Sequence, residues 1–399
     1  MITNRDIIVY GMQAWDFNIA STCKYTAIEM SKNNRVLFVN PPMQRSSALF
    51  HKNDPDIAKR LKINRGEEED LVQESENLWV LYPKTIVESI NWIKSPAIFN
   101  FFNKINDRRY AREVLKAVTK LDFNNYILFN DNSMITGFYF KELLKPSIFI
   151  YLLRDAVIHV DYHKRHGTRL QPQIIQKADF AVANSDYFAD YERKTNPRSF
   201  MIGQGCDIKM YSDEKGELEI PSDLSTISKP IIGYVGYLTT IRLDIDVLIY
   251  IAQSRPDWNL VLVGPEDDGF EKSKLHELSN VYFLGKKDPD KLAAYIKGFD
   301  VALNPQIVNI ITDINYPLKI DEYLAMGKPT VATKTTFMAY FKDYTYLPTT
   351  KEEFVVEIEK ALAEDSPIMQ KRRRDFASKH TWENFVGKIY NFIEKYEKK

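Results

Sequence analysis

The stretch 315–332, NYPLKIDEYLAMGKPTVA, sets Lys319 and Glu322 one turn apart on a predicted helix that opens near Pro317 and closes at Gly327. Proline in the first turn and glycine just past the end are ordinary helix punctuation. Such a start leaves the N–H groups of Leu318 and Lys319 without intrahelical acceptors, and the macrodipole favours negative charge there. Lys319 adds a full positive charge, so the turn suits an anion such as a diphosphate. Glu322 can accept hydrogen bonds from the hydroxyls of a ribose. On geometry alone, a capped helix with surface charges accounts for the same residues.

A second candidate is 233–246, GYVGYLTTIRLDID, where a strand runs into a turn at Gly236 and a helix follows. Glycine at such a turn lets backbone approach a phosphate. Arg242 supplies a cation in the same loop, although a lone arginine there reads equally as a surface residue. Asp244 and Asp246 have the spacing of a metal-binding acidic pair. They fall where a helix opens, however, and aspartate is favoured there for capping. The pairs Asp54/Asp56 and Asp288/Asp290 flank prolines and read as turns. No metal site is expected.

A third candidate follows the apolar run 148–152: Arg154 and Asp155, then His159, Asp161, His163 and His166. The carboxyl end of a strand in a doubly wound sheet faces the ligand crevice. A carboxylate there can take a proton from a substrate hydroxyl, which makes Asp155 the candidate base; an Asp paired with its neighbouring Arg is the alternative. The histidines have no metal-ligand spacing and read as solvent-exposed. Gly11 and Trp15 follow the first predicted strand and are expected to line the crevice, Trp15 by stacking on a sugar or by packing.

These residues need a scaffold, and the apolar pattern supplies one. Strands are predicted at 7–10, 35–39, 78–82, 126–129, 148–152, 180–183 and 200–202, and again at 231–235, 258–263, 281–284, 301–303 and 330–332, with helical stretches between. Strand–helix–strand units of this length imply parallel sheets. The rhythm lapses at 207–229, the best linker candidate, and the charge-rich stretch 51–76 reads as a solvated loop. At 399 residues, 44% hydrophobic, the chain is long enough for two α/β domains. The expected division is an N-terminal domain 1–210, a linker 211–229, a C-terminal domain 230–377 and a final amphipathic helix in 378–399.

The formal net charge is zero, which disfavours nucleic acid as a partner. Cys23 and Cys206 build neither a disulfide framework nor a metal set. No signal-peptide layout or membrane-spanning run is read, so a cytoplasmic protein is expected. The stretch 90–118 mixes Trp92, Phe99, Phe101 and Phe102 with six basic residues. It reads as a core-facing helix with a basic side, or as a segment lying on anionic lipid at the inner face of the membrane.

The segment PLKIDEYLAMGKP resembles the donor-binding motif of GT-B-fold glycosyltransferases of the family 4-like, or glycosyltransferase family 1, group. The Leu318–Lys319 pair is similar to the Met-Lys pair of the xanthan glucuronosyltransferase type. The resemblance implies a GT-B fold, two Rossmann-like doubly wound domains facing a central cleft. It also implies transfer of a sugar from a nucleotide-diphosphate sugar to a hydroxyl of a glycan or lipid-linked acceptor, as in cell-surface polysaccharide synthesis. By position, Gly236, Tyr237, Arg242, Tyr316, Leu318 and Lys319 would meet the diphosphate and Glu322 the ribose. Arg242 stands where the family has a lysine, and Tyr237 where it has an arginine. Asp155 matches the proposed base of the glucuronosyltransferase type. The donor is a substrate, and neither a metal nor a further cofactor is implied. Ile314 stands where many members carry a glutamate beside the donor sugar, with Asp313 adjacent as a substitute. A nucleotide-sugar epimerase on this scaffold and a catalytically silent scaffold protein are the other readings.

Overall fold

A computed structural model describes residues 2–16, 21–213 and 216–397. Contacts divide the chain into two units, Met1–Gly203 with Trp382–Lys399, and Gln204–Thr381.

The strands of the first unit are β1 (Asp6–Gly11), β2 (Arg35–Val39), β3 (Met43–Gln44), β4 (Leu71–Ser75), β5 (Leu78–Leu81), β6 (Ile86–Val87), β7 (Ile127–Asp131), β8 (Ile148–Leu153), β9 (Phe180–Ala183) and β10 (Ser199–Met201). Eight of them form one sheet in the order β10-β9-β8-β7-β1-β2-β5-β4, while β3 and β6 pair separately. All neighbours in the large sheet are parallel except the β4–β5 hairpin. Strands covered on both faces must be apolar throughout, and β1 and β8 are buried along their whole length. The helix Trp382–Tyr396 lays Phe385, Val386, Ile389 and Ile393 into this unit's core, and Trp382 stacks on Tyr25 at 5.3 Å.

The second unit contains β11 (Ile231–Val235), β12 (Asn259–Val263), β13 (Val281–Gly285), β14 (Val301–Asn304) and β15 (Thr330–Ala332). They form one parallel sheet, β13-β12-β11-β14-β15. That is the Rossmann order, with its reversal between β11 and β14. Residues 204–229 belong with this unit; the short helix Ser222–Ser225 buries Leu224 fully.

The stretch 51–76 is not a loop. Asp54 caps the helix Pro55–Arg65 by accepting from Asp56 and Ile57, and Gly66 ends it in the left-handed region. β4 follows. Mostly exposed faces hid both elements, because a solvated helix and an edge strand show little apolar periodicity.

Candidate functional site

Crevices in open α/β sheets lie beyond the carboxyl ends of the strands, where the strand order reverses. In the second unit that place is bounded by Gly236 after β11 and by the loop after β14. Gly236 has φ +141°, and a methyl group on its Cα would stand 2.8 Å from the Lys319 Nζ. The lysine is delivered by the helix Lys319–Ala325. Its ammonium donates to the Tyr234 hydroxyl and lies 3.9 Å from the centre of that ring. The Tyr234 hydroxyl in turn reaches the Tyr237 carbonyl at 3.4 Å. The glycine turn, the tyrosine and the lysine thus form one connected group. Tyr323, from the same helix, accepts from the Val235 N–H at 3.0 Å and ties the helix to the end of β11.

Arg242 sits in the loop that follows. The Ile307 N–H donates to its carbonyl at 2.9 Å, and the Asp244 N–H to Pro305 O at 2.9 Å, so the Arg242 loop is fastened to the loop after β14. Its exposed guanidinium has no hydrogen-bond or ion-pair partner among the described residues, yet its charge helps to lower the Lys319 pKa. Two cations therefore share one region without a carboxylate bridging them. Asp244 caps the helix Ile245–Ser254 by accepting from Val247, as expected of an N-cap.

Burial takes Lys319 down to about 7, with Glu322 opposing and Arg242 reinforcing the shift. Burial likewise raises Glu322 to about 7, with Lys319 and a hydrogen bond from Tyr211 opposing. Both groups are short of solvation, and an added anion would restore the charge on Lys319. The N–H groups of Leu318 and Lys319 have no acceptor among the described residues. Tyr211, buried beside Glu322, was not legible from the sequence, since it lies outside any motif. Tyr234 was, in principle, at the end of a strand leading into the glycine turn.

Two expectations here need correction. The Tyr316 hydroxyl donates to buried Asp321, which also takes a 2.7 Å hydrogen bond from His380 Nδ1, and its ring packs on Phe337 at 4.8 Å. Tyr316 therefore belongs to an internal polar chain rather than to the diphosphate region. Asp313 accepts from the Thr336 N–H and hydroxyl, both at 2.8 Å, and Ile314 is buried, so neither replaces the missing glutamate. Tyr237 is 55% exposed and offers the loop its carbonyl, not a cation.

In the first unit, Asp155 pairs with Arg154, whose Nε donates to buried Asp131 at 2.7 Å and whose Nη2 donates to Gln13 at 3.0 Å. Burial raises the Asp131 carboxyl pKa, and Arg154 counters it. The alternative weighed for Asp155, an acid held by its neighbouring arginine, is the arrangement observed. Gly11 lies against Asp131, leaving no room for a side chain. His166 is buried, stacks on Phe99 at 3.6 Å and bonds to the Ile93 carbonyl, contrary to a solvent-exposed role.

Of the two roles open to Trp15, packing is the one observed. It is 6% exposed and packs edge-on against Phe38 at 5.1 Å, with Lys24 over its ring. No ring face is left for a ligand. Trp15→Ala is expected to destabilise the first unit by about 3–5 kcal/mol and to leave nucleotide affinity unchanged. Thermal melting and a nucleotide titration of the same sample check both halves of that statement.

The two doubly wound units define a GT-B fold. Residues 229–364 match the family model of glycosyl transferases group 1. TuaH of Bacillus subtilis (strain 168), named for glycosyl transfer in teichuronic acid biosynthesis, is 27% identical over 237 residues, 56% of this chain and 59% of TuaH. The match thus spans less than two thirds of that relative. Among solved structures, sucrose-phosphate synthase from Thermosynechococcus elongatus has a TM-score of 0.67 at 16% identity, covering 98% of this chain and 99% of its own. The Anabaena HepE structure in complex with UDP and glucose has a TM-score of 0.63 at 16% identity, covering 97% and 99%. At these identities the structures establish the fold alone.

Proposed function

We propose that this protein is a glycosyltransferase that moves a sugar from a nucleotide-diphosphate sugar to a hydroxyl of a glycan or lipid-linked acceptor in cell-surface polysaccharide synthesis. The observation that carries this reading is Lys319 Nζ held against Gly236, with Arg242 close by. A departing diphosphate gathers negative charge as the bond to the anomeric carbon breaks. Fixed cations and backbone N–H groups aimed at that place stabilise the transition state more than the ground state. In this reading Lys319, Arg242 and the Leu318 and Lys319 amides take the role a divalent ion has elsewhere, with no further cofactor. The similarity of Leu318–Lys319 to the Met-Lys pair of the xanthan type supports the lysine's part. Glu322, steadied by Tyr211, receives the ribose hydroxyls.

The match to the group 1 family over 229–364 supports the donor side, and the name of TuaH supports the surface-polysaccharide setting. On the acceptor side Asp155 either takes the hydroxyl proton or binds the acceptor, according to the stereochemistry. The protein would work in the cytoplasm, at the inner face of the membrane. Trp92 and Phe101 are 72% and 63% exposed, and the helix Pro96–Lys120 that carries Phe101 is rich in lysine and arginine; both features support contact with anionic lipid. No helix among the described residues is long and apolar enough to cross a membrane.

The test is a donor screen. The full chain is incubated with UDP-, GDP- and ADP-sugars, with and without extracts of lipid-linked glycans, and release of nucleoside diphosphate and the fate of the sugar are followed. Acceptor-dependent release from one nucleotide class is the expected result. Isomerisation of the donor without an acceptor would establish an epimerase instead, and absence of any turnover or nucleotide binding would leave the scaffold reading.

A further inference from the structure

The first unit holds a cavity of about 170 Å³ that the donor reading does not use. It lies beyond the carboxyl ends of β1, β2 and β7, where Gly11, Pro41 and Ser133 line it. In this sheet that is where the order reverses, since β1 sits between β2 and β7. The position is the one expected of a ligand crevice.

The lining mixes polar and apolar groups. Among the described residues no lysine or arginine lines the cavity, and its two carboxylates are committed. Glu88 is held by Arg45 at 2.7 Å and Arg109 at 3.3 Å. Asp107 is buried and accepts from the Gly137 and Tyr139 N–H groups. A phosphate or carboxylate entering here would lose its hydration and meet no opposite charge. Uncharged polar groups are available instead. The Asn91 Oδ1 is buried without a hydrogen-bond partner among the described residues. The half-buried His163 has no partner for either ring nitrogen among the described residues, and burial lowers its pKa. In the neutral ring one nitrogen donates and the other accepts. Gln44 approaches the Tyr162 hydroxyl at 3.4 Å, a weak contact a ligand can replace. Phe99 and Tyr110 supply apolar wall. Amides, an imidazole and ring faces in this mixture suit the hydroxyls and C–H faces of a sugar. The volume falls below the roughly 300–1,000 Å³ of drug-sized pockets, so one ring fits rather than an oligosaccharide.

We propose that this cavity is a subsite for one uncharged sugar ring, with Gln44, Asn91 and His163 reading its hydroxyl groups. It rests on the glycosyltransferase reading for its purpose, since the ring is then the terminal sugar of the acceptor. The binding chemistry is independent of that reading.

The experiment uses the full chain and saturation-transfer NMR with methyl glucoside, methyl galactoside, N-acetylglucosamine, glucuronate and inorganic phosphate as separate probes. At least one neutral sugar should bind in preference to glucuronate and phosphate. His163→Phe and Gln44→Leu should each weaken it by about tenfold, as expected for one lost hydrogen bond to a buried group. UDP, GDP and ADP titrated into the same samples should bind the variants as they bind the wild type. The proposal is overturned if no neutral sugar binds, if glucuronate or phosphate binds as well as the neutral probes, or if both variants behave as wild type. Loss of nucleotide binding in the wild type with the sugar pattern intact would sink the donor reading and leave this subsite standing.

Discussion

Lys319→Ala is expected to lower turnover by roughly 10²–10³, the usual effect of deleting one group that meets developing charge in a transition state. Nucleoside diphosphate binding should weaken with it, because the same ammonium serves the ground state. The thermal midpoint should barely move. Lys319 packs on Tyr234 and attracts Glu322; with the lysine gone, Glu322, already raised to about 7, keeps its proton, so no bare charge is stranded. Lys319→Arg should not rescue: the ammonium already stands 2.8 Å from where a Gly236 methyl would be, and a guanidinium needs more room. Steady-state kinetics with the donor found by the screen, together with melting curves, separate a lost contact from a lost fold. Turnover by Lys319→Ala within a factor of two or so of wild type would remove the lysine from the mechanism.

The same lysine gives binding a pH signature whose sign can be worked out. Without ligand, burial holds Lys319 near 7, with Arg242 pushing the same way and Glu322 against. A diphosphate prefers the ammonium form, so binding raises the lysine pKa and takes up a proton. Affinity should therefore fall as pH rises above about 7, by at most about tenfold per unit, until the pH passes the pKa of the complex. Glu322, also near 7, loses a proton over the same range and adds a negative charge, which acts in the same direction. Tyr211, Tyr234 and Asp321 complete the surroundings. Burial raises both tyrosines, so they stay neutral in this range. The terminal phosphate of the nucleotide titrates near 6, so work above pH 7 avoids it. Glu322→Gln should remove part of the slope and Lys319→Met most of it. A flat affinity from pH 7 to pH 9 would mean that neither group is coupled to the ligand.

Much of the sheet scaffold could be read from apolar runs, because parallel strands buried on both faces have no choice of composition. The strands at 35–39, 180–183, 231–235 and 330–332 fall where the pattern placed them. Lys319, Gly236 and Arg242 were readable for a related reason: helix and turn punctuation fixes where a backbone must change direction, and that is where these residues converge. Side-chain partnership was not readable. Trp15 and Tyr316 sit in the right loops, yet one turned into the core and the other toward Asp321. Rotamers answer to neighbours distant in sequence: Phe38 in one case, His380 by way of Asp321 in the other. Tyr211 was hidden for the same reason. It reaches Glu322 from more than a hundred residues away, and no local pattern marks it.

Gly264→Ala is expected to be the most damaging single methyl group that can be added near the crevice. Gly264 follows β12 with φ +154°, and an added Cβ would lie 1.8 Å from the Gly236 carbonyl oxygen and 2.7 Å from its carbon. Both are backbone atoms, so no side chain can swing aside. The contact exists because the Gly236 N–H donates to the Val263 carbonyl at 2.9 Å, drawing the turn after β11 across the end of β12. An alanine must break that bond or distort β12, and a cost above about 4 kcal/mol is expected. At roughly 2–4 °C per kcal/mol for a unit of this size, the melting transition of the second unit should drop by about 8–16 °C. Gly285→Ala is the control. It is the last residue of β13, with φ +68° and nothing within 4 Å of an added Cβ, so it carries only the left-handed backbone penalty of about 1–2 kcal/mol. The two variants share a sheet and a substitution, and differ in the clash. Any Gly264→Ala protein that stays folded should also bind nucleotide poorly, because moving Gly236 moves the surface that Lys319 faces. Equal melting of the two variants would show that the turn yields, and a yielding turn could not hold Lys319 and the backbone in fixed register for a diphosphate.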